Sequence, residues 1–295
     1  SLGIQPDIIV LRSEKNVTKE IKEKISLFCD VPLNHVITCK DVDIIYEVVL
    51  SLKKQNIDKE ICDHFSLITQ DSDTSNWEKL ILTIKNLKKE MNIAIVGKYV
   101  SLHDAYLSVN EAIKAAGYRY NYKTNIIWIN SEDVNKENVK EMLKDVDGVV
   151  VPGGFGKRGS DGKIYTLEYC RINKVPCLGI CFGMQLMAVE FARNVLHLES
   201  ADSTELDENC KNPIIHLLPN QFKGIDLGGT LRLGAYNLKL DEDSKVYKYY
   251  HSFPLSERHR HRYEFNDIYK NSFNEAGLKI KGTHPETGLV EVLEL

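Results

Sequence analysis

Short apolar runs and stretches with apolar residues three or four apart take turns along this chain, the pattern of strands separated by helices. Residues 4–11 end in Ile8-Ile9-Val10-Leu11, which suits a buried strand. Apolar positions 21, 25 and 28 then predict a helix over 18–28 with Thr18 as its N-cap. A strand at 36–39 and a helix at 44–52 extend this into a strand-helix-strand-helix fragment of a parallel sheet. Composition turns polar over 70–75 (Gln-Asp-Ser-Asp-Thr-Ser), which reads as a connection between domains, and 77–90 reads as a solvated linker helix. From Asn92 the alternation resumes, with strands at 93–99, 126–129 and 148–151 and an apolar run that stops at Gly179. Helices are expected at 104–116, 133–143, 162–173 and 184–195, the last burying Leu186, Val189 and Phe191. Near-continuous apolar strands in such an order predict an α/β fold built on a doubly wound, mostly parallel sheet covered on both faces. The expected domains are 1–70, a linker and helix at 71–91, and 92–295.

Two glycine motifs stand at the carboxyl ends of predicted strands, where ligands bind in such sheets. Gly179-Ile180-Cys181-Phe182-Gly183 is the thiol counterpart of the G-x-S-x-G nucleophile elbow. The strand-to-helix turn it requires leaves no room for a Cβ at the flanking positions, and the helix amino end favours a thiolate. A buried structural cysteine would suit the same spacing. Pro152-Gly153-Gly154-Phe155-Gly156-Lys157-Arg158-Gly159 holds four glycines, which let backbone N–H groups converge on an anion. Alone, this is an ordinary glycine-rich turn. Beside the elbow it completes an acyl-transfer site, with Phe182 and Gly154 supplying the two oxyanion donors.

Bulk composition narrows the class of protein. The chain has 295 residues, enough for two cored domains, and its 43% hydrophobic and 27% charged content is that of a globular protein. A net charge of -4 offers nothing to nucleic acid or to an anionic membrane surface. No apolar run approaches the roughly 18 residues of a membrane span. Seven scattered cysteines (29, 39, 62, 170, 177, 181, 210) without a C-x-x-C pair argue for reduced thiols in a cytoplasmic setting and against a disulfide framework or a zinc site. No G-x-x-x-x-G-K-[ST] phosphate loop occurs. The chain opens Ser1-Leu2-Gly3 and is expected to begin mid-protein.

Two further stretches supply charge: Asp202-Ser203-Thr204-Glu205, and Glu257-Arg258-His259-Arg260-His261-Arg262-Tyr263-Glu264. Each would serve as a solvated cluster. One carboxylate and one guanidinium beside a glycine-lined thiol would also clamp the zwitterionic head of an amino acid.

Taken in order, the glycine loop, the elbow continued through Met184-Gln185, Ser203-Thr204-Glu205, Gly228-Gly229-Thr230-Leu231-Arg232-Leu233-Gly234 and the 257–264 string resemble the glutamine amidotransferase domain of the CTP synthase family. The loop and elbow are shared by all class I (triad) amidotransferases, whose domain is flavodoxin-like. The last two strings are the more specific. Residues 1 to about 70 resemble the end of that family's amidoligase (synthetase) domain. The resemblance implies that Cys181 attacks the side-chain amide of glutamine, that a glutamyl thioester is hydrolysed, and that ammonia passes on for ATP-dependent amination of UTP to CTP. Gly154, Phe182, Gly183, Met184 and Gln185 would line the glutamine site, with Glu205 on the α-ammonium and Arg262 on the α-carboxylate. ATP and Mg would act in the synthetase domain, GTP would be an effector with the 155–159 loop as a contact, and the assembly would be a homotetramer held by the synthetase part. His284-Pro285-Glu286 has the letters of the family's His-Pro-Glu, but it stands in a hairpin-like turn before a strand. The base is therefore expected beyond Leu295, and His259 and His261 are read as structural. A catalytically inactive regulatory module of the same fold, or a peptidase of the same superfamily, is the alternative.

Overall fold

The computed structural model describes residues 3–217, 232–250 and 254–295, so Gly228 to Leu231 of the glycine-threonine string lie outside the described residues. The chain divides into two compact units, Ser1–Lys89 with Tyr118–Lys123, and Glu90–Gly117 with Thr124–Leu295.

In the first unit, β1 (Ile9–Ser13) and β2 (Val36–Lys40) pair in parallel, with Ile9 opposite Val36. Helix α1 (Lys19–Cys29) connects them, and α2 (Glu47–Lys54), α3 (Ile57–His64) and α4 (Ser75–Lys85) follow. Thr18 occupies the N-cap of α1, yet its side chain makes no capping bond there. Helix α4 is shorter than the expected 77–90. The amide of Asn86 bonds back to the Leu82 carbonyl at 2.8 Å and ends it, freeing the chain to enter the next strand at Lys89.

The second unit is α/β. Its elements begin with β3 (Lys89–Gly97), α5 (Leu107–Arg119), β4 (Tyr122–Asn130), α6 (Val139–Met142) and β5 (Gly148–Val151). Helix α7 (Ser160–Asn173), β6 (Cys177–Gly179) and α8 (Phe182–Asn194) come next. The strands lie in the order β4-β3-β5-β6, with β3·β5 and β5·β6 parallel. The direction of strand addition reverses beside β3, and the chain leaves the carboxyl ends of β5 and β6 into the two glycine motifs. Ala94, Val96, Val149 and Val151 of the sheet pack with Ile164 and Leu167 of α7 and with Leu186, Val189 and Phe191 of α8 in one buried core. Helix α6 has four residues where eleven positions (133–143) were expected. Asn135 and Asn138 explain it: each side-chain amide oxygen accepts the other's backbone N–H, at 2.9 and 2.8 Å, holding a turn in place of the helix's first half.

The remainder is antiparallel apart from one pairing. Strands β7 (Ala201–Ser203) and β8 (Asn212–Leu217) pair in parallel. Strand β9 (Arg232–Leu240), α9 (Lys245–Tyr249), β10 (Leu255–His261), β11 (Tyr263–Phe265), α10 (Lys270–Ala276), β12 (Lys279–Thr283) and β13 (Val290–Glu294) complete the order. Two small sheets result, β11-β8-β7 and β10-β9-β12-β13. His284 stands in the tight turn between β12 and β13, where its carbonyl accepts from Gly288 N–H at 2.9 Å and its ring contacts Thr287 Oγ1 at 2.8 Å.

Candidate active site

The turn that carries the thiol is fixed by two close backbone approaches. Ile180 N–H donates to the Val151 carbonyl at 2.9 Å, continuing the β5·β6 register by one residue before the chain turns. A Cβ on Gly183 would fall 2.0 Å from the Val151 oxygen, and one on Gly179 would fall 2.7 Å from the backbone of Gly183 and Met184. Strand end and helix start therefore meet only through glycine. Between them Cys181 adopts φ 55° and ψ -111°, strained for a residue with a side chain, and serves as the N-cap of α8. Its side chain is half-buried.

The glycine loop after β5 lies against this thiol: a Cβ on Gly153 would stand 3.8 Å from Cys181 Sγ. One on Gly154 would stand 3.8 Å from the Phe182 ring and 3.6 Å from both Lys98 Cε and Lys163 Nζ. Gly156 and Gly159 take left-handed conformations at φ 72° and 70°. Gly156 N–H donates to Glu205 Oε1 at 2.6 Å, which brings the loop after β7 to the glycine loop. Lys98, leaving β3, donates to the Phe155 carbonyl, and Lys163 on α7 donates to the Pro152 carbonyl at 3.0 Å.

A third wall comes from far along the chain. Buried Gln185 on α8 donates to the Tyr263 carbonyl at 2.8 Å, binding the elbow helix to the segment Arg262-Tyr263-Glu264. Glu264 is buried and accepts from Arg232 at 3.1 Å, and Arg232 also pairs with Glu291. His259 contacts Glu291 at 2.7 Å. Arg232, His259 and Glu264 thus belong to one buried network, while Arg258 and Arg260 of the same string are exposed, as the solvated reading has it. Burial raises Glu264 to about 7, the Glu291 carboxylate adding to the shift and Arg232 opposing it.

Electrostatics at the thiol correct one expectation. The helix amino end does act on Cys181, through a hydrogen bond from Phe182 N–H, and Lys163 pulls the same way. Burial, joined by the carboxylates of Glu264 and Glu205, outweighs them and pushes the thiol up, so the resting form is protonated.

Cys181, Gly154, Phe182, Gly183, Gln185 and Glu205 therefore converge, Met184 lies in the first turn of α8, and Arg262 adjoins the carbonyl that Gln185 holds. Lys98, Lys163, Glu264 and Arg232 were not singled out as site residues. Only the first, directly after a strand at its carboxyl end, carried a positional signal. Among the described residues, no group of three His, Cys, Asp or Glu side chains is placed to hold a metal ion, and none is assigned to Mg.

Residues 101–295 match the family Glutamine amidotransferase class-I, and residues 1–67 match CTP synthase N-terminus. The chain belongs to the class-I glutamine amidotransferases. It is 50% identical over 295 residues to the CTP synthase of Bacillus pumilus, all of this chain and 55% of that one. For the CTP synthase of Halalkalibacterium halodurans the figures are 52% identity, all of this chain and 56% of that protein. The chain thus spans about half the length of the curated relatives it matches. Among solved structures it is similar to the glutaminase domain of Trypanosoma brucei CTPS with bound acivicin, at a TM-score of 0.64 and 32% identity over 69% of this chain and 80% of that one.

Proposed function

We propose that this chain is the glutaminase part of a CTP synthase, with residues 1–70 the end of its synthetase domain, 71–91 a linker and helix, and 92–295 the amidotransferase domain. Cys181 attacks the side-chain amide carbon of glutamine. The oxyanion forms between the N–H groups of Phe182 and Gly154, ammonia leaves, and water releases glutamate from the thioester. Glu205 takes the substrate α-ammonium and Arg262 its α-carboxylate, while Gly183, Met184 and Gln185 line the pocket. Because the resting thiol is protonated, a base must take its proton as substrate binds. His284 is bound up in its own hairpin turn, so we assign that role to a residue beyond Leu295. The ammonia serves the ATP- and Mg-dependent amination of UTP to CTP in a cytoplasmic homotetramer, with GTP as effector at the 155–159 loop.

The observation that carries this reading is the strained Cys181 at the head of α8 with a glycine loop beside its sulfur. Exposing the protein to acivicin and mapping the adduct by mass spectrometry tests it. One adduct, on Cys181 and slowed by excess glutamine, is expected. Labelling of another cysteine, or labelling that glutamine does not slow, contradicts the reading and favours an inactive module or a different hydrolase.

A further inference from the structure

The reaction outlined above makes no use of Lys163. Its side chain is 1% exposed, in the first turns of α7. The ammonium donates to the Pro152 carbonyl at 3.0 Å and lies 5.3 Å from the centre of the Phe182 ring. A Cβ on Gly154 would stand 3.6 Å from it. It is thus placed behind both residues assigned as oxyanion donors. Among the described residues no carboxylate pairs with it, and a neutral chain of the same length would fill the space without the cost of burying a charge. The negative charge that would offset this ammonium is one that exists only during reaction.

We propose that Lys163 is a positioning residue of the nucleophile: its ammonium anchors the Pro152–Gly154 backbone and supplies the buried positive charge against which the Cys181 thiolate, and then the oxyanion, forms. This rests on the glutaminase reading for its biological meaning, but not for its test. The charges facing the pair come from several elements. Lys98 from β3 repels Lys163, and Cys181 attracts it. Glu205 after β7 and Glu264 on β11 oppose ionisation of Cys181. Arg158 in the glycine loop and Glu132 after β4 act on Lys98. Burial brings Lys163 down to about 8, which leaves it mostly charged at neutral pH.

The test is the rate at which iodoacetamide alkylates Cys181 in the full-length protein, from about pH 6 to about pH 10, read on the Cys181 peptide by mass spectrometry. Alkylation reports the thiolate and needs no glutamine pocket, so its outcome is independent of the acivicin result. In Lys163→Met alkylation at neutral pH, where Lys163 is mostly charged, should slow roughly tenfold. The gap should narrow above about pH 8 as the parent lysine loses its proton, and Lys163→Arg should restore the parental rate. If the methionine variant does not fold, Lys163→Gln, which keeps a donor for the Pro152 carbonyl, should show the same slowing at neutral pH. A parental alkylation rate at neutral pH in either neutral variant overturns the proposal and leaves Lys163 a packing residue.

Discussion

Gln185 Nε2 donates to the Tyr263 carbonyl at 2.8 Å across 78 residues of sequence. This bond ties the helix that opens at Cys181 to the segment Arg262-Tyr263-Glu264. Gln185 is buried, so truncating it removes this part-buried bond and leaves a gap in the packing, at a cost of about 1–3 kcal/mol. Gln185→Ala should lose that much stability in urea unfolding and should raise the glutamine KM. A variant with unchanged KM would separate the tie from substrate binding.

The backbone of Cys181 offers a second test. At φ 55° and ψ -111° a side chain costs on the order of 1–3 kcal/mol, while glycine's extra freedom in the unfolded chain costs ~0.5–1. Cys181→Gly should therefore be more stable than Cys181→Ala by about 1 kcal/mol, measured by thermal unfolding. The reverse order would mean the turn is unstrained.

The buried network predicts a pH dependence whose sign can be derived. Glu264 is raised to about 7, so between about pH 4.5 and 7 the native state keeps a proton that the unfolded chain has lost. Its contribution makes stability fall as pH rises through that window. His261 acts the other way. Burial and its neighbour His259 bring it down to about 4, so stability is lost as pH falls from about 6.5 to 4. Glu264→Gln removes the first effect. The stability of this variant relative to the parent should rise from about pH 4.5 to 7 and then level, and urea midpoints across that range measure it. A flat or falling difference would contradict the assignment.

Arg262 is assigned to the substrate's carboxylate. In the full-length protein Arg262→Ala should raise the glutamine KM at least tenfold, or roughly 1.4 kcal/mol of lost charge-assisted binding. Free ammonia should still support synthesis. An unchanged glutamine KM would remove Arg262 from the pocket.

What the sequence disclosed, and what it withheld, follows from the range of each interaction. The elbow was legible because Gly179 and Gly183 answer to contacts within one strand-turn-helix unit and with the adjacent strand, and such steric demands leave a fixed spacing. Glu205 was legible only through the resemblance, since nothing local announces its bond to Gly156. Lys163 was hidden because a lysine in a helix reads as an outward position, and only the fold folds it under the glycine loop. Arg232, Glu264 and Glu291 meet across 32 and 59 residues, so no window along the chain contains the network. The shortfall at α6 was local but polar. Asparagine side chains held the backbone of 135–138 in a turn, which an apolar periodicity does not register.

The most direct test is Cys181→Ala in the full-length protein, assayed for CTP formation with glutamine and, separately, with ammonium. Glutamine-dependent synthesis should vanish while ammonia-dependent synthesis and the unfolding curve stay close to those of the parent. Glutamine-dependent synthesis at the parental rate would show that this sulfur is not the nucleophile.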